Sequence, residues 1–172
     1  LLGFLKIKIK QNFKYSEFGP VLEIKDKTFA LRHSTQNSFQ EIDGWFALNE
    51  AQSVQAFESA LSARKIPSFN FVVMDSSKNI GFFYNGRIPT RETPKAAREV
   101  LQGISSNDIW PLNQPIKNLP TFINPPNGWI QSTNQNPYAV MGKYSMALDP
   151  KNPNVYFEQR LTNRSYVANE LL

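Results

Sequence analysis

Residues 4–10 alternate apolar and basic side chains at period two, which predicts a half-exposed strand. Past Gly19-Pro20, residues 21–24 and 28–32 predict two strands joined by the charged turn Lys25-Asp26-Lys27, a hairpin. Phe39, Ile42, Phe46 and Ala47 then recur at helical spacing, in a helix that Gly44 weakens. Asn49 and Gln52 resemble a capping box, and Val54, Phe57, Ala60 and Leu61 form an apolar stripe. Together they predict a helix over 50–64, ended by Pro67. Residues 69–75 and 80–84 are two aromatic strands around Ser76-Ser77-Lys78-Asn79, a hairpin buried on at least one face. A short helix is predicted over 95–101 after Pro94, and 103–128 is a long Pro- and Asn-rich connection pinned by isolated apolar anchors. Residues 139–154 are irregular, and 155–172 carry Phe157, Leu161, Val167 and Leu171 on a helical face with Arg160 and Arg164 on one side.

Composition agrees with a folded α+β protein. The chain has 172 residues, enough for one good core, and 41% hydrophobic against 19% charged residues excludes a disordered tail. Twelve prolines and thirteen phenylalanines favour strands with rigid turns over a helical bundle. The net charge of +5 comes from scattered basic residues whose densest run, Lys6 to Lys14, reads as a solvated strand face, so no nucleic-acid partner is expected. With no cysteine there is neither a disulfide nor a thiolate nucleophile. The single histidine, His33, cannot build a multi-histidine zinc site, and no Gly-x-Ser-x-Gly elbow accompanies it. No metal and no cofactor are expected. No apolar run approaches the ~20 residues of a membrane span.

Chemistry concentrates in residues 124–137. Pro125, Pro126 and Gly128 set a turn, Trp129 and Ile130 can bury, and the amides of Asn134, Gln135 and Asn136 emerge where the apolar stretch stops. A side-chain amide is a neutral donor that can be aimed at an oxyanion, the charge whose stabilisation is usually the largest catalytic term in acyl transfer. The alternative is an Asn-rich loop that hydrogen-bonds its own backbone.

The order of several motifs resembles the β chain of penicillin acylases and their relatives, the cephalosporin and acyl-homoserine-lactone acylases. Phe18-Gly19-Pro20-Val21-Leu22 with Phe29-Ala30-Leu31-Arg32 is similar to a family strand pair. Asn70 ahead of a buried strand ending in Asp75 follows, then Lys78-Asn79-Ile80-Gly81-Phe82, where Lys78 replaces the usual glycine. Gly86-Arg87-Ile88-Pro89-Thr90-Arg91 and Asn124-Pro125-Pro126-Asn127-Gly128-Trp129-Ile130, leading to Asn134 and Pro137, complete a collinear set over about residues 18–137.

What the resemblance implies is an N-terminal-nucleophile hydrolase. The fold would be a portion of an αββα layered sandwich, with 35–84 and 129–172 in the core and 1–34 with parts of 85–128 in a smaller β-rich lobe. The activity would be hydrolysis of an N-acyl amide, such as a β-lactam side chain or an acyl-homoserine lactone. In this family self-cleavage of a precursor exposes a serine that acts as nucleophile and, through its own α-amine, as base. That serine falls upstream of the Gly-Pro-Val strand, so this chain is expected to be a partial β chain, inactive alone. Its expected partners are the α chain, the N-terminal part of the β chain and a small N-acyl amide. Asn134 corresponds to the oxyanion asparagine and Arg164 to an arginine that supports the active site. Some relatives hold calcium, but no acidic cluster is present here to bind it. Periplasmic or secreted localisation is a further implication of the family. The competing reading is a non-catalytic β-rich binding module with Trp110, Trp129 and Tyr138 as anchors.

Overall fold

The computed structural model describes residues 9–36, 39–89, 99–110, 119–142 and 161–172. Within them the chain is α+β, with two small antiparallel sheets and three α-helices.

The first sheet joins β1 (Tyr15–Ser16), β2 (Gly19–Ile24) and β3 (Lys27–Ala30) in that order. The β2–β3 register pairs Val21 with Ala30 and Ile24 with Lys27, around a tight turn in which Lys25 takes a positive φ of 55°. Gly19 is the one residue type this sheet permits at its position. Its φ is +136°, and a Cβ there would lie 2.0 Å from the Leu31 carbonyl oxygen. The strand expected over 4–10 falls almost wholly outside the described residues.

Two helices follow. α1 (Glu41–Glu50) forms in spite of Gly44, because that glycine serves packing. A Cβ on it would meet Ile66 Cγ1 at 2.9 Å and Lys65 Cβ at 3.0 Å, so the missing side chain lets α1 lie close against the start of the next strand. Both expected helices form, and the start of the second, expected at residue 50, is corrected. α1 runs to Glu50, and a separate α2 spans Val54–Ser62. Asn49 and Gln52 form no capping box. Ser53 caps α2, its hydroxyl accepting from Ala56 N at 3.1 Å, while Gln52 donates to the Glu50 carbonyl at 3.2 Å. An extended Ser53 with a short hydroxyl satisfies an orphan N–H that Asn49, inside the preceding helix, cannot reach.

The central element is the hairpin of β4 (Ser68–Met74) and β5 (Ile80–Gly86), extended by β6 (Thr121–Ile123) in the order β4-β5-β6. Its alternation sorts side chains between two faces. Phe83, Phe71, Val73 and Ile123 meet Leu48, Val54, Phe57 and Leu61 of the helices. Phe82, Tyr84 and Phe122 meet Ile130, Val140 and Met141 on the opposite face. Phe82 and Val140 are completely buried. One face of the hairpin is therefore packed on the helices, and the other is covered over β5 and β6 by the segment after β6.

A polar clamp ties these layers together at one end. The Asp75 carboxylate accepts from the backbone N–H groups of Val54, Ser77 and Asn79 and from the Asn79 side chain. Asn79 Oδ1 in turn accepts from Asn124 Nδ2 at 2.9 Å, and Asn124 Oδ1 accepts from Ile80 N at 2.9 Å. Asp75 is thus held below the ordinary carboxylate pKa, the Asn79 side chain contributing most. The clamp fixes where the chain leaves β6 and enters the amide-rich loop. The helix expected over 95–101 falls mostly outside the described residues, and its described end, 99–101, is not helical. The last segment forms α3 (Asn163–Leu171), capped by Thr162, whose hydroxyl accepts from Ser165 N at 3.3 Å.

Candidate active site

The segment after β6 covers the hairpin above β5 and β6, where Ile130, Val140 and Met141 pack on Phe82 and Phe122. It stops short of the β4 edge. Ser68, Asn70 and Val72, all on that face of β4, are left as the floor of an open cavity of about 620 Å³, with Tyr84 beside them and residues 132–137 as its rim. No charged side chain among the described residues lines it. Burial raises the Tyr84 pKa, so its hydroxyl stays protonated across the neutral range.

Five side-chain amides line this cavity: Asn70, Asn85, Asn134, Gln135 and Asn136. Their hydrogen bonds separate structure from chemistry. Gln135 is buried and spends both ends inside the loop. Its Oε1 accepts from Thr133 N at 2.6 Å and Thr133 Oγ1 at 2.8 Å, and its Nε2 donates to the Gln131 carbonyl at 3.3 Å. Asn136 Oδ1 accepts from Tyr138 N at 2.9 Å and caps the 3-10 turn Pro137–Ala139. Asn85, also buried, donates to the Ile66 carbonyl at 3.0 Å and accepts from Arg64 at 3.2 Å. The backbone-bonded reading of the loop therefore holds for Gln135 and Asn136.

Asn134 is arranged differently. It sits exposed at the rim with a left-handed φ of 66°, a conformation asparagine tolerates better than most residues. Arg164 Nη2 donates to Asn134 Oδ1 at 2.9 Å and to the Thr133 carbonyl at 3.1 Å. A guanidinium can only donate, so the amide oxygen must face Arg164. The Asn134 NH₂ is thereby turned the other way, and no hydrogen bond among the described residues uses it.

Arg164 reaches this position through the capping of α3. Ser165, fully buried, shares hydroxyl contacts of 3.0 Å with both Thr133 and Thr162. The first turn of α3 is thus bolted to the residue before Asn134. A cation in the first turn of a helix is unfavourable to the helix itself, which carries partial positive charge there. Arg164 serves the loop at some cost to α3. The two residues expected to act together, 134 and 164, are therefore in direct contact. Sequence reasoning missed the supporting Ser165 and Thr133 and grouped Gln135 with the other amides; the Thr162–Ser165 cap spacing was the available signal.

Among the described residues no group of three or more His, Cys, Asp or Glu could hold a metal ion, and no helix is long and apolar enough to cross a membrane. What this arrangement can do is present a neutral, oriented N–H donor at the edge of a cavity whose described lining carries no charge.

The collinear motifs of the chain agree with comparison against known families. The sequence model of the penicillin amidase family matches residues 6–172. The chain belongs to the penicillin amidase family. That membership supports an acylase-like amidohydrolase in general.

Proposed function

We propose that this chain supplies part of the active site of an amidohydrolase that cleaves N-acyl amides, with Asn134 as the oxyanion donor and Arg164 as the residue that orients it. The observation that carries the reading is the 2.9 Å contact from Arg164 to Asn134 Oδ1, which leaves the amide NH₂ facing away from the cation. The nucleophile in this reading is the N-terminal serine that membership of the family implies. Its hydroxyl attacks the acyl carbonyl while its α-amine takes the proton. The carbonyl oxygen gains the charge and accepts a hydrogen bond from Asn134 Nδ2. Collapse of the tetrahedral intermediate breaks the C–N bond, the amine leaves with the proton, and water releases the acid from the acyl-serine.

The lack of charge in the described lining supports this assignment, because a nearby carboxylate would oppose the developing negative charge. Release of amine from phenylacetyl and long-chain acyl amides by the full protein, with and without Asn134→Ala, is the test. Loss of one such donor is expected to lower kcat by about 10²–10³. Near-native turnover by the variant would remove Asn134 from the mechanism. The family's common export signal suggests a periplasmic or secreted site of action, tested by fractionation of the source cells.

A further inference from the structure

Arg164 and Ser165 are neighbours in the first turn of α3, yet they reach different parts of the loop. Arg164 meets the Asn134 side chain, whereas Ser165 meets the residue before it. The hydrogens of this second contact have one arrangement. Gln135 Oε1 accepts from Thr133 N at 2.6 Å and Gln135 Nε2 donates to the Gln131 carbonyl at 3.3 Å, so two backbone groups fix which end of the amide is which. An amide oxygen can only accept, so the Thr133 hydroxyl, 2.8 Å away, gives it its one hydrogen. The Ser165 hydroxyl must then donate to Thr133 Oγ1 and accept from Thr162 Oγ1, each at 3.0 Å. Thr162 Oγ1 accepts in turn from Ser165 N. A one-way chain therefore runs from Thr162 through the fully buried Ser165 and Thr133 to the buried Gln135.

Its effect converges on Thr133, every polar group of which is engaged. The N–H and hydroxyl bind Gln135, the hydroxyl also binds Ser165, and the carbonyl accepts from Arg164 at 3.1 Å. That carbonyl belongs to the peptide plane from which Asn134 departs with its left-handed φ of 66°. Such a conformation persists in a residue other than glycine when the surroundings over-determine it. We propose that Ser165 is a positioning residue for the reaction, fixing the backbone of Asn134 through the Thr133 hydroxyl as Arg164 fixes its side chain. Without the Ser165 hydroxyl, Thr133 loses a donor and Thr162 an acceptor at a point closed to water. That the held residue is an oxyanion donor rests on the acylase reading; the hold itself does not.

The test uses the full protein and three variants. Ser165→Ala removes the hydroxyl. Thr133→Val removes its partner with little change of shape, and serves if the buried Ser165→Ala does not fold. Thr133→Ser keeps the hydroxyl. Hydrogen–deuterium exchange over residues 131–139 reads the hold without catalysis, and is expected to quicken about fivefold or more in the first two variants and to return toward wild type in the third. Amine release reads the positioning. In Ser165→Ala and Thr133→Val, kcat is expected to fall about fivefold with KM unchanged, and Thr133→Ser to recover it. With Asn134→Gly already in place, either variant should change kcat by less than about twofold, which a merely structural role would not require. Exchange that is equal in the wild type and both hydroxyl-free variants overturns the proposal. So does a wild type that turns over while the variants lose no kcat, or lose as much without Asn134 as with it. Quickened exchange in the variants of a protein that hydrolyses no amide upholds the hold by Ser165 and sinks the acylase reading.

Discussion

If Arg164 acts only by orienting Asn134, its removal should matter only while Asn134 is present. The perturbation is Arg164→Met, alone and combined with Asn134→Gly, glycine being chosen because the φ of 66° at position 134 would strain alanine. Arg164 makes two charge-assisted hydrogen bonds, at 2.9 and 3.1 Å, from an exposed side chain. Such bonds are worth about 1.5–3 kcal/mol when sheltered. Solvent screening brings an exposed pair down to about 1 kcal/mol, which corresponds to about a fivefold to tenfold fall in kcat. Asn134→Gly alone removes the donor and is expected to lower kcat by about 10²–10³. In the Asn134→Gly background, Arg164→Met should then change kcat by less than about twofold, since no donor is left to orient. Stability supplies a second readout, because relieving a cation at the start of α3 should leave the melting temperature unchanged or slightly higher. The assay is steady-state amine release by the full protein, with thermal melts in parallel. Equal losses of kcat on removing Arg164 in both backgrounds would falsify the orienting role.

Other outcomes follow from the packing and the clamp. Phe82→Ala, at a completely buried position stacked 6.1 Å from Phe122, should cost about 3–5 kcal/mol by denaturant unfolding. Ser53→Ala should cost about 1 kcal/mol by loss of the α2 cap, with no change in α1. The lowered pKa of Asp75 means its contribution is complete above the ordinary carboxylate value and is lost as pH falls through the depressed one. Asp75→Asn should therefore lower the melting temperature at neutral pH and flatten its decline below about pH 4, in melts recorded across acid pH. A variant that melts with the wild-type pH profile would show that the clamp holds without the charge.

How much of this was legible in the chain can be judged residue by residue. The hairpin of β4 and β5 could be read because its aromatic run is strongly apolar at both parities and closes on a polar turn. Two helices could be read from the apolar spacing, but the point where the second begins could not, since Asn49 and Gln52 offered a cap spacing of their own. Only the geometry of Ser53 shows which of several polar residues caps the second helix. Gly44 looked like a weakness in α1 and proved to be a packing contact, a distinction that needs the position of Ile66. Within the loop, Asn134, Gln135 and Asn136 are chemically near-equivalent as letters. Local hydrogen bonding consumes Gln135 wholly and the oxygen of Asn136, whereas Asn134 meets a cation thirty residues away in the chain.

Family membership and the α+β character were in the sequence because both rest on local order: collinear motifs, period-two strands and turn residues. Which strand of the hairpin is left uncovered, which amide is freed for chemistry and which arginine orients it were decided by tertiary structure. Each depends on distances between segments far apart in the chain, and a side chain's hydrogen-bond partners are set by those distances rather than by its neighbours in sequence.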